Sequence, residues 1–453
     1  MKSEAIIYVP SDTPESMVTS TIKIAGVPLI VRGIMTLFSA GIKNVTLLIA
    51  ESQKEKILKF LGRFRKERLP QIKILSYDEP YRVSPKTIEE ILRTSDEKFI
   101  LINGNLIFDN NLIKNLNSTN IQGNETLICH EGSQQIPIVK TSKKVLEKLI
   151  LFTTIQPRSI ESCLTSLLKD SSLKIVRKSN TSYTFLVRRP QERIVAEKFL
   201  AEAIRLSTNG PVAKYINKRI SLPISLFLSR LWISPHAITA INIVIGLLSG
   251  VFIAGKGYVF MLIGASLFQI ASVADGVDGE ISKLTFRASK FGQFIDTISD
   301  NLALASCLIG LTISACRTFN PIISFSAGIL AIINTSFVIW LMVRYLKKHT
   351  NSASLATFNK VYLTNLPKET NPIFVWFLNN FKYLAMKDCF AFLIFALGVI
   401  GVLPVFLFFT TFGTMLAALS IGYLQLSSKH SHKANAESKT QQNLAIGNLW
   451  QKR

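Results

Sequence analysis

Acidic residues are scarce in this chain: 29 Asp and Glu stand against 52 Lys and Arg, for a formal charge of +23. An excess of that size points to nucleic acid, anionic lipid headgroups or the positive-inside bias of a membrane protein. The basic residues flank apolar spans and form no single stripe interleaved with aromatics, which argues against nucleic acid. Cysteine is scarce as well. Cys129, Cys163, Cys307, Cys316 and Cys389 are odd in number and lack CxxC spacing, so they read as small buried residues in a reducing compartment. A cleavable signal peptide is missing, because MKSEAIIYVPSD has one short apolar run that reads as a buried strand, and the amino-terminal domain is expected in the cytoplasm. Long apolar runs are absent before Ile238 and dominate after it, so the chain divides into a soluble part and a membrane part.

Residues 1–190 read as an open α/β domain. AIIYV (5–9), VTLLIA (45–50), QIKILSY (71–77) and KFILING (98–104) are strands, with later ones near Leu127 and at 182–188. Helices are expected at 26–41, 51–66 and 87–95. Such alternation predicts a mostly parallel sheet with ligands at the carboxyl ends of its strands. Over about the first 150 residues the pattern resembles a sugar-phosphate nucleotidyltransferase domain of the kind that makes CDP- or UDP-activated alcohols. That resemblance implies a glycine-rich loop with a basic residue after the first strand, and an Asp after the middle strand to hold magnesium. Here the loop is PSDTPESMVTS (10–20), without Gly, Arg or Lys, and the matching acidic position is Asn105. A neutral amide replaces a hard-cation carboxylate poorly, so the domain is expected to be inactive, kept for binding or as a structural cap. Lys23, Arg32 and Asp109 are candidates for residual binding; ordinary surface charge is the preferred reading of all three.

A helix over 190–207 leads out of this domain. From 209 to 239, Val212, Tyr215, Ile216, Ile220, Ile224, Leu228 and Leu231 recur at helical spacing among Lys214, Lys218, Arg219 and Arg230. That pattern predicts an interfacial amphipathic helix, kinked at Pro223, within a linker spanning 191–235. An all-α domain of six transmembrane spans follows over 236–426: 238–255, 257–281, 290–316, 321–346, 386–401 and 403–426. Basic residues cluster at 283–290, at 344–387 and from Lys429, which places both termini in the cytoplasm, and 427–453 reads as a disordered tail.

Within the membrane part, Asp275 and Asp278 are three residues apart and Asp296 and Asp300 four apart, so each pair shares a helix face. Lys283, Arg287 and Lys290 lie in the link between the pairs, which lets two antiparallel helices bring four carboxylates together. One carboxylate near the bilayer core costs about 2.5–3.5 kcal/mol, so four in one hairpin call for a bound pair of divalent cations. A salt-bridge network to the three basic residues is the rival, and it leaves the glycines unexplained.

Read from Asp275, D-x-x-D-G-x-x-S-K, eight residues, then G-x-x-x-D-x-x-x-D resembles the CDP-alcohol phosphotransferase signature, with Ser282-Lys283 where the family has Ala-Arg. The resemblance implies transfer of a phospho-alcohol from a CDP-alcohol to an acceptor hydroxyl with release of CMP, on two Mg or Mn ions held by Asp275, Asp278, Asp296 and Asp300. It makes Asp300 the general base, and places the nucleotide near Thr239, Asp275, Gly279, Lys283 and Gly292. SPHAIT (234–239) matches the family's entry to the first span, with His236 in an Asn place. Arg287, Lys290, Arg344 and Lys387, beside Asp388, are candidates for an acceptor phosphate, with positive-inside anchoring as the alternative. A homodimer in a lipid bilayer is implied, and no nucleic-acid partner. The order of the two domains is similar to that of the bifunctional inositol-1-phosphate cytidylyltransferase/di-myo-inositol-phosphate-phosphate synthase family, so the alternatives are a bifunctional enzyme that makes its own CDP-alcohol and a non-catalytic nucleotide-binding scaffold.

Overall fold

A computed structural model of the chain describes residues 4–9, 19–62, 69–77, 98–121, 126–131, 134–145, 147, 173–177, 183–349 and 386–419. Residues 10–18 of the expected phosphate loop, the expected helix at 87–95 and the tail 427–453 lie outside them. The chain divides into two units, one of 1–207 with 225–233 and 281–287, the other of 208–224, 234–280 and 288–453.

In the first unit the order is β1 (Glu4–Tyr8), β2 (Lys23–Ile24), β3 (Val27–Pro28), α1 (Leu29–Ser39), β4 (Asn44–Ala50), α2 (Glu51–Leu61), β5 (Gln71–Tyr77), β6 (Lys98–Asn103) and β7 (Leu106–Phe108), then α3 (Asn110–Ser118), β8 (Thr126–Glu131), β9 (Gln134–Ser142), β10 (Leu173–Arg177), β11 (Thr184–Leu186) and α4 (Arg193–Leu206). Seven strands form one sheet in the order β10-β8-β9-β6-β1-β4-β5. Every pairing is parallel except those of β9, which runs antiparallel to β6 and β8. The apolar runs read as strands are buried because helices cover them: Ile7, Val45, Leu47 and Ile100 pack with Ile30, Ile34 and Ile57 in one core. Burial of each such side chain stabilises by about 1.5–3 kcal/mol.

The helix expected at 26–41 starts only at Leu29, because residues 23–28 make the β2–β3 hairpin. Its turn needs positive φ at Ala25 and Gly26, 47° and 79°. Backbone also presses on this turn: a Cβ on Gly26 would lie 2.2 Å from the Ser229 carbonyl oxygen.

Two charged residues of the first unit are buried. Glu197, 1% exposed on α4, accepts hydrogen bonds from the Ala25 amide at 2.9 Å, from Arg193 at 3.3 Å and from Arg230. Burial pushes its carboxyl up, but the Arg230 hydrogen bond, the Ala25 amide and the charges of Arg230 and Arg193 together outweigh it and hold the group below the usual glutamate range. A depressed carboxyl contributes stability above its unfolded value, 4.5, and loses it as pH falls through the folded one. Glu197→Gln is therefore expected to lower the Tm of the first unit at pH 7 and to flatten its fall below pH 4.5, read by thermal unfolding across pH; an unchanged acid limb rejects the assignment. Arg32, 5% exposed on α1, corrects the reading of it as a surface charge. Its Nη2 donates to the Ile24 carbonyl at 2.7 Å and the Leu284 carbonyl at 2.9 Å, and its guanidinium lies 5.4 Å from the centre of the Phe286 ring. Desolvation pushes it down to about 10, so it stays a cation at neutral pH. Lys23 is exposed and Asp109 half-buried.

After a π-helical turn at Ala213–Asn217, α5 (Lys218–Arg230) runs through Pro223 without a break. The continuous helix expected to 239 ends earlier: Trp232 takes φ 59°, and α6 (Pro235–Ile253) begins with Pro in its first turn. Tyr215, Ile220, Ile224, Phe227 and Leu231 are exposed. Next come α7 (Tyr258–Leu284), α8 (Lys290–Thr318), α9 (Pro321–His349) and α10 (Lys387–Ile400). Among the described residues four helices are long and apolar enough to cross a membrane: Pro235–Ile253, Tyr258–Leu284, Lys290–Thr318 and Pro321–Leu341. Two of the six expected spans fall short there: α10 has 14 residues, and the apolar helix Leu403–Leu419 ends where description ends. Small residues let α6 and α8 cross closely, since a Cβ on Gly246 would lie 2.6 Å from that of Ala303, and one on Gly250 2.2 Å from the Ser306 carbonyl.

Candidate active site and metal centre

The acids of the second unit stand on two helices joined by a short link. Phe286, at φ 55°, helps turn the chain after α7. Ser289 then starts α8, its Oγ accepting from the Gly292 amide at 3.0 Å. Helical spacing places Asp275 and Asp278 on α7, and Asp296 and Asp300 on α8. One ligand oxygen from each of Asp275, Asp278 and Asp296 lies within 4.8 Å of the other two.

Each acid has a distinct set of partners. Asp278, 5% exposed, accepts a hydrogen bond from the Thr239 hydroxyl on α6 at 2.5 Å. Asp296 Oδ1 is buried without a hydrogen-bond partner. The Lys387 ammonium, at the start of α10, pairs with Asp275 at 3.0 Å and with Asp300. Its single positive charge balances only part of what the acids bring. An orphaned carboxylate oxygen, three converging oxygens and uncompensated negative charge fit a hard divalent cation, which binds oxygen donors.

The sequence placed Lys387 among acceptor-phosphate candidates; the structure brings it into the acidic cluster. Asp388 beside it accepts from the Asn217 amide at 2.7 Å and the Ser272 hydroxyl at 3.2 Å, and Gln269 donates to Asn217 at 3.0 Å. Glu280, 1% exposed on α7, accepts from Lys218 and from Ser221, each at 2.6 Å. Asn217, Ser272 and Glu280 were missed by sequence reasoning; the only signal was a polar residue at helical spacing from Asp275 or from Lys214.

The two glycines differ. A Cβ on Gly279 would meet nothing within 4 Å, so the helix surface beside Asp278 is open. A Cβ on Gly292 would lie 3.0 Å from the His236 ring, so packing alone requires glycine there. Lys283 and Lys290 are exposed in and after the last turn of α7. Arg287, in the first unit, donates to the Trp232 and Ile233 carbonyls at 3.3 and 3.1 Å and lies 5.2 Å from the centre of the Trp232 ring. Arg344 is exposed and lies over the Trp340 ring. These four do not converge on one point in the described contacts.

The helices and the acids they carry fall within a stretch, residues 232–418, that matches the family described as CDP-alcohol phosphatidyltransferase; the chain carries a domain of this family. Curated relatives extend the match. A bifunctional IPC transferase and DIPP synthase of Aquifex aeolicus is 24% identical over 313 residues, 63% of this chain and 70% of the relative. The protein of the same description from Thermococcus kodakarensis is 27% identical over 180 residues, 38% of this chain and 40% of its own length. The match thus spans well under half of one relative and about two thirds of the other. Among solved structures, 4-diphosphocytidyl-2C-methyl-D-erythritolsynthase from Anaerococcus prevotii (13% identity, TM-score 0.33, 44% of this chain and 97% of that one) and the inositol-1-phosphate CTP transferase from T. maritima (15%, 0.33, 42% and 91%) are similar. Likeness of that degree says nothing about chemistry in the first unit.

Proposed function

We propose that the membrane domain moves a phospho-alcohol from a CDP-alcohol to an acceptor hydroxyl and releases CMP. The observation that carries this reading is the convergence of Asp275, Asp278 and Asp296 from two helices, with Asp300 one turn beyond Asp296 on α8. Two divalent cations, Mg or Mn, bound there would neutralise the diphosphate oxygens and the charge that builds up as the bond to CMP breaks. Asp275, Asp278 and Asp296 hold the cations, and Thr239 fixes the Asp278 carboxylate by its hydrogen bond. Lys387 keeps Asp300 ionised, ready to accept the proton of the acceptor hydroxyl. The acceptor oxygen forms a bond to the phosphorus that carries the alcohol, the diphosphate bridge breaks, and CMP leaves with the bridging oxygen. Open space beside Gly279 admits the donor against the helix. Lys283, Gly292, Lys290, Arg287 and Arg344 are proposed to act less directly, through positioning or long-range charge.

In this reading the site faces the cytoplasm, the partners are a CDP-alcohol, an alcohol or phospho-alcohol acceptor and the bilayer, and two copies associate. The first unit, with Asn105 at the magnesium position, does not supply the donor. Purified full-length protein given Mn and a CDP-alcohol is expected to release CMP, followed by chromatography; CDP binding without turnover would favour the scaffold reading, and CTP-dependent pyrophosphate release would favour the bifunctional one. Thr239→Val removes the hydroxyl that fixes Asp278, and a rise of about three- to tenfold in the Mn concentration for half-maximal rate is expected. Wild-type Mn dependence in that variant removes Thr239 from the site.

A further inference from the structure

Arg32 is a cation in the core of a soluble α/β domain, yet no carboxylate forms an ion pair with it among the described contacts. A buried guanidinium needs acceptors, and one of the two it has is the Leu284 carbonyl. Leu284 is the last residue of α7. The last four carbonyls of a helix lack intrahelical partners and carry the negative end of its dipole, so a cation there both caps the helix and matches its field. Phe286, just beyond, lies against the same guanidinium. Thr285 closes the turn with its hydroxyl on the Ile281 carbonyl. Leu284, with 2% exposure, packs with Ile24, Leu29 and Leu200 of the soluble fold. Arg32 and 281–287 thus belong to one unit, and the helix they terminate runs on without a break to Asp278, six residues before Leu284 and about 9 Å along the axis.

We infer that Arg32 is a positioning residue for the metal centre: by capping α7 at Leu284 it fixes the register and tilt of the helix turn that presents Asp275 and Asp278. The inference rests on the proposed transferase reading for its catalytic consequence and on the helix cap alone for its structural one. It gives a domain without its own triphosphate loop a present task, which is to hold the end of a membrane helix.

The test uses the detergent-solubilised full chain and Mn itself as the probe. Mn binding is followed by electron paramagnetic resonance, amide hydrogen exchange over 281–287 by mass spectrometry, and CMP release as a separate assay. Arg32→Met is expected to raise exchange across 281–287 about tenfold or more and to weaken Mn binding about tenfold. Arg32→Lys, which keeps the charge and loses the fork, is expected to weaken it about threefold, and carries the test where Arg32→Met does not fold. Lys140→Met is the control: it removes a buried ammonium that donates to the Leu116, Asn117 and Thr119 carbonyls at the end of α3, far from Leu284 in sequence. That variant is expected to lower the Tm of the first unit and leave Mn binding as in wild type. Wild-type exchange and Mn binding in the Arg32 variants overturn the inference, as does an equal loss of Mn affinity in Lys140→Met. Absence of CMP release from the wild type would instead reject the transferase reading, with exchange and resonance still deciding on Arg32.

Discussion

Replacing Asp300 by Asn is expected to reduce CMP release by about 10²–10⁴-fold, the usual contribution of a positioned general base. The substitution keeps the shape of the side chain and removes its ability to take a proton. Asp300 is not among the three acids whose oxygens converge; it pairs instead with Lys387, one helical turn beyond Asp296. Mn binding by the variant is therefore expected to stay within about threefold of wild type, so the defect falls on the rate and not on assembly of the site. Single-turnover CMP release with Mn titrated in parallel makes the distinction. Full CMP release in the variant sinks the base assignment, and a matching loss of Mn binding moves Asp300 among the metal-holding acids.

Lys387→Met is expected to make the protein depend on metal for its stability. In wild type one ammonium serves both Asp275 and Asp300. Taking away one partner of a partly buried pair leaves carboxylates facing one another without a counter-charge, which costs about 1–3 kcal/mol after allowance for the water that reaches them. In chelator the variant should unfold several degrees below wild type, and Mn should raise its Tm by more than it raises that of wild type, since the cation then supplies all the missing charge. Thermal unfolding in chelator and in Mn reads both numbers. Equal responses to Mn in the two proteins show that Lys387 does not share the cluster.

The acids were legible in the sequence because their chemistry is local: Asp275 with Asp278, and Asp296 with Asp300, lie within single helix turns, and a short link forces the helices side by side. The parallel strands were legible for the same reason, as apolar runs of strand length. Residues brought from afar were not. Lys387 is 87 positions after Asp300, and nothing in its neighbourhood separates a cation inside an acidic cluster from one anchoring a membrane helix. Arg32 looked like a surface charge because burial of a lone arginine is rare; what makes it tolerable is a carbonyl 252 positions away. The hairpin before α1 was hidden by the helix-forming residues around it, and only the left-handed backbone at Ala25 and Gly26 reveals the turn.

The start of α10 bears on how the protein is made. At 14 residues this helix extends about 21 Å, short of the ~30 Å of a bilayer's hydrocarbon, and it opens with Lys387 and Asp388. A nascent segment of that kind is a poor client for insertion on its own. Its polar groups nevertheless have partners that leave the ribosome earlier: Asn217 and Ser272 for Asp388, Asp275 and Asp300 for Lys387. Entry of α10 into the membrane is thus tied to the prior arrival of α7 and α8, and the catalytic cluster doubles as the receptor that recruits the late helix during biogenesis.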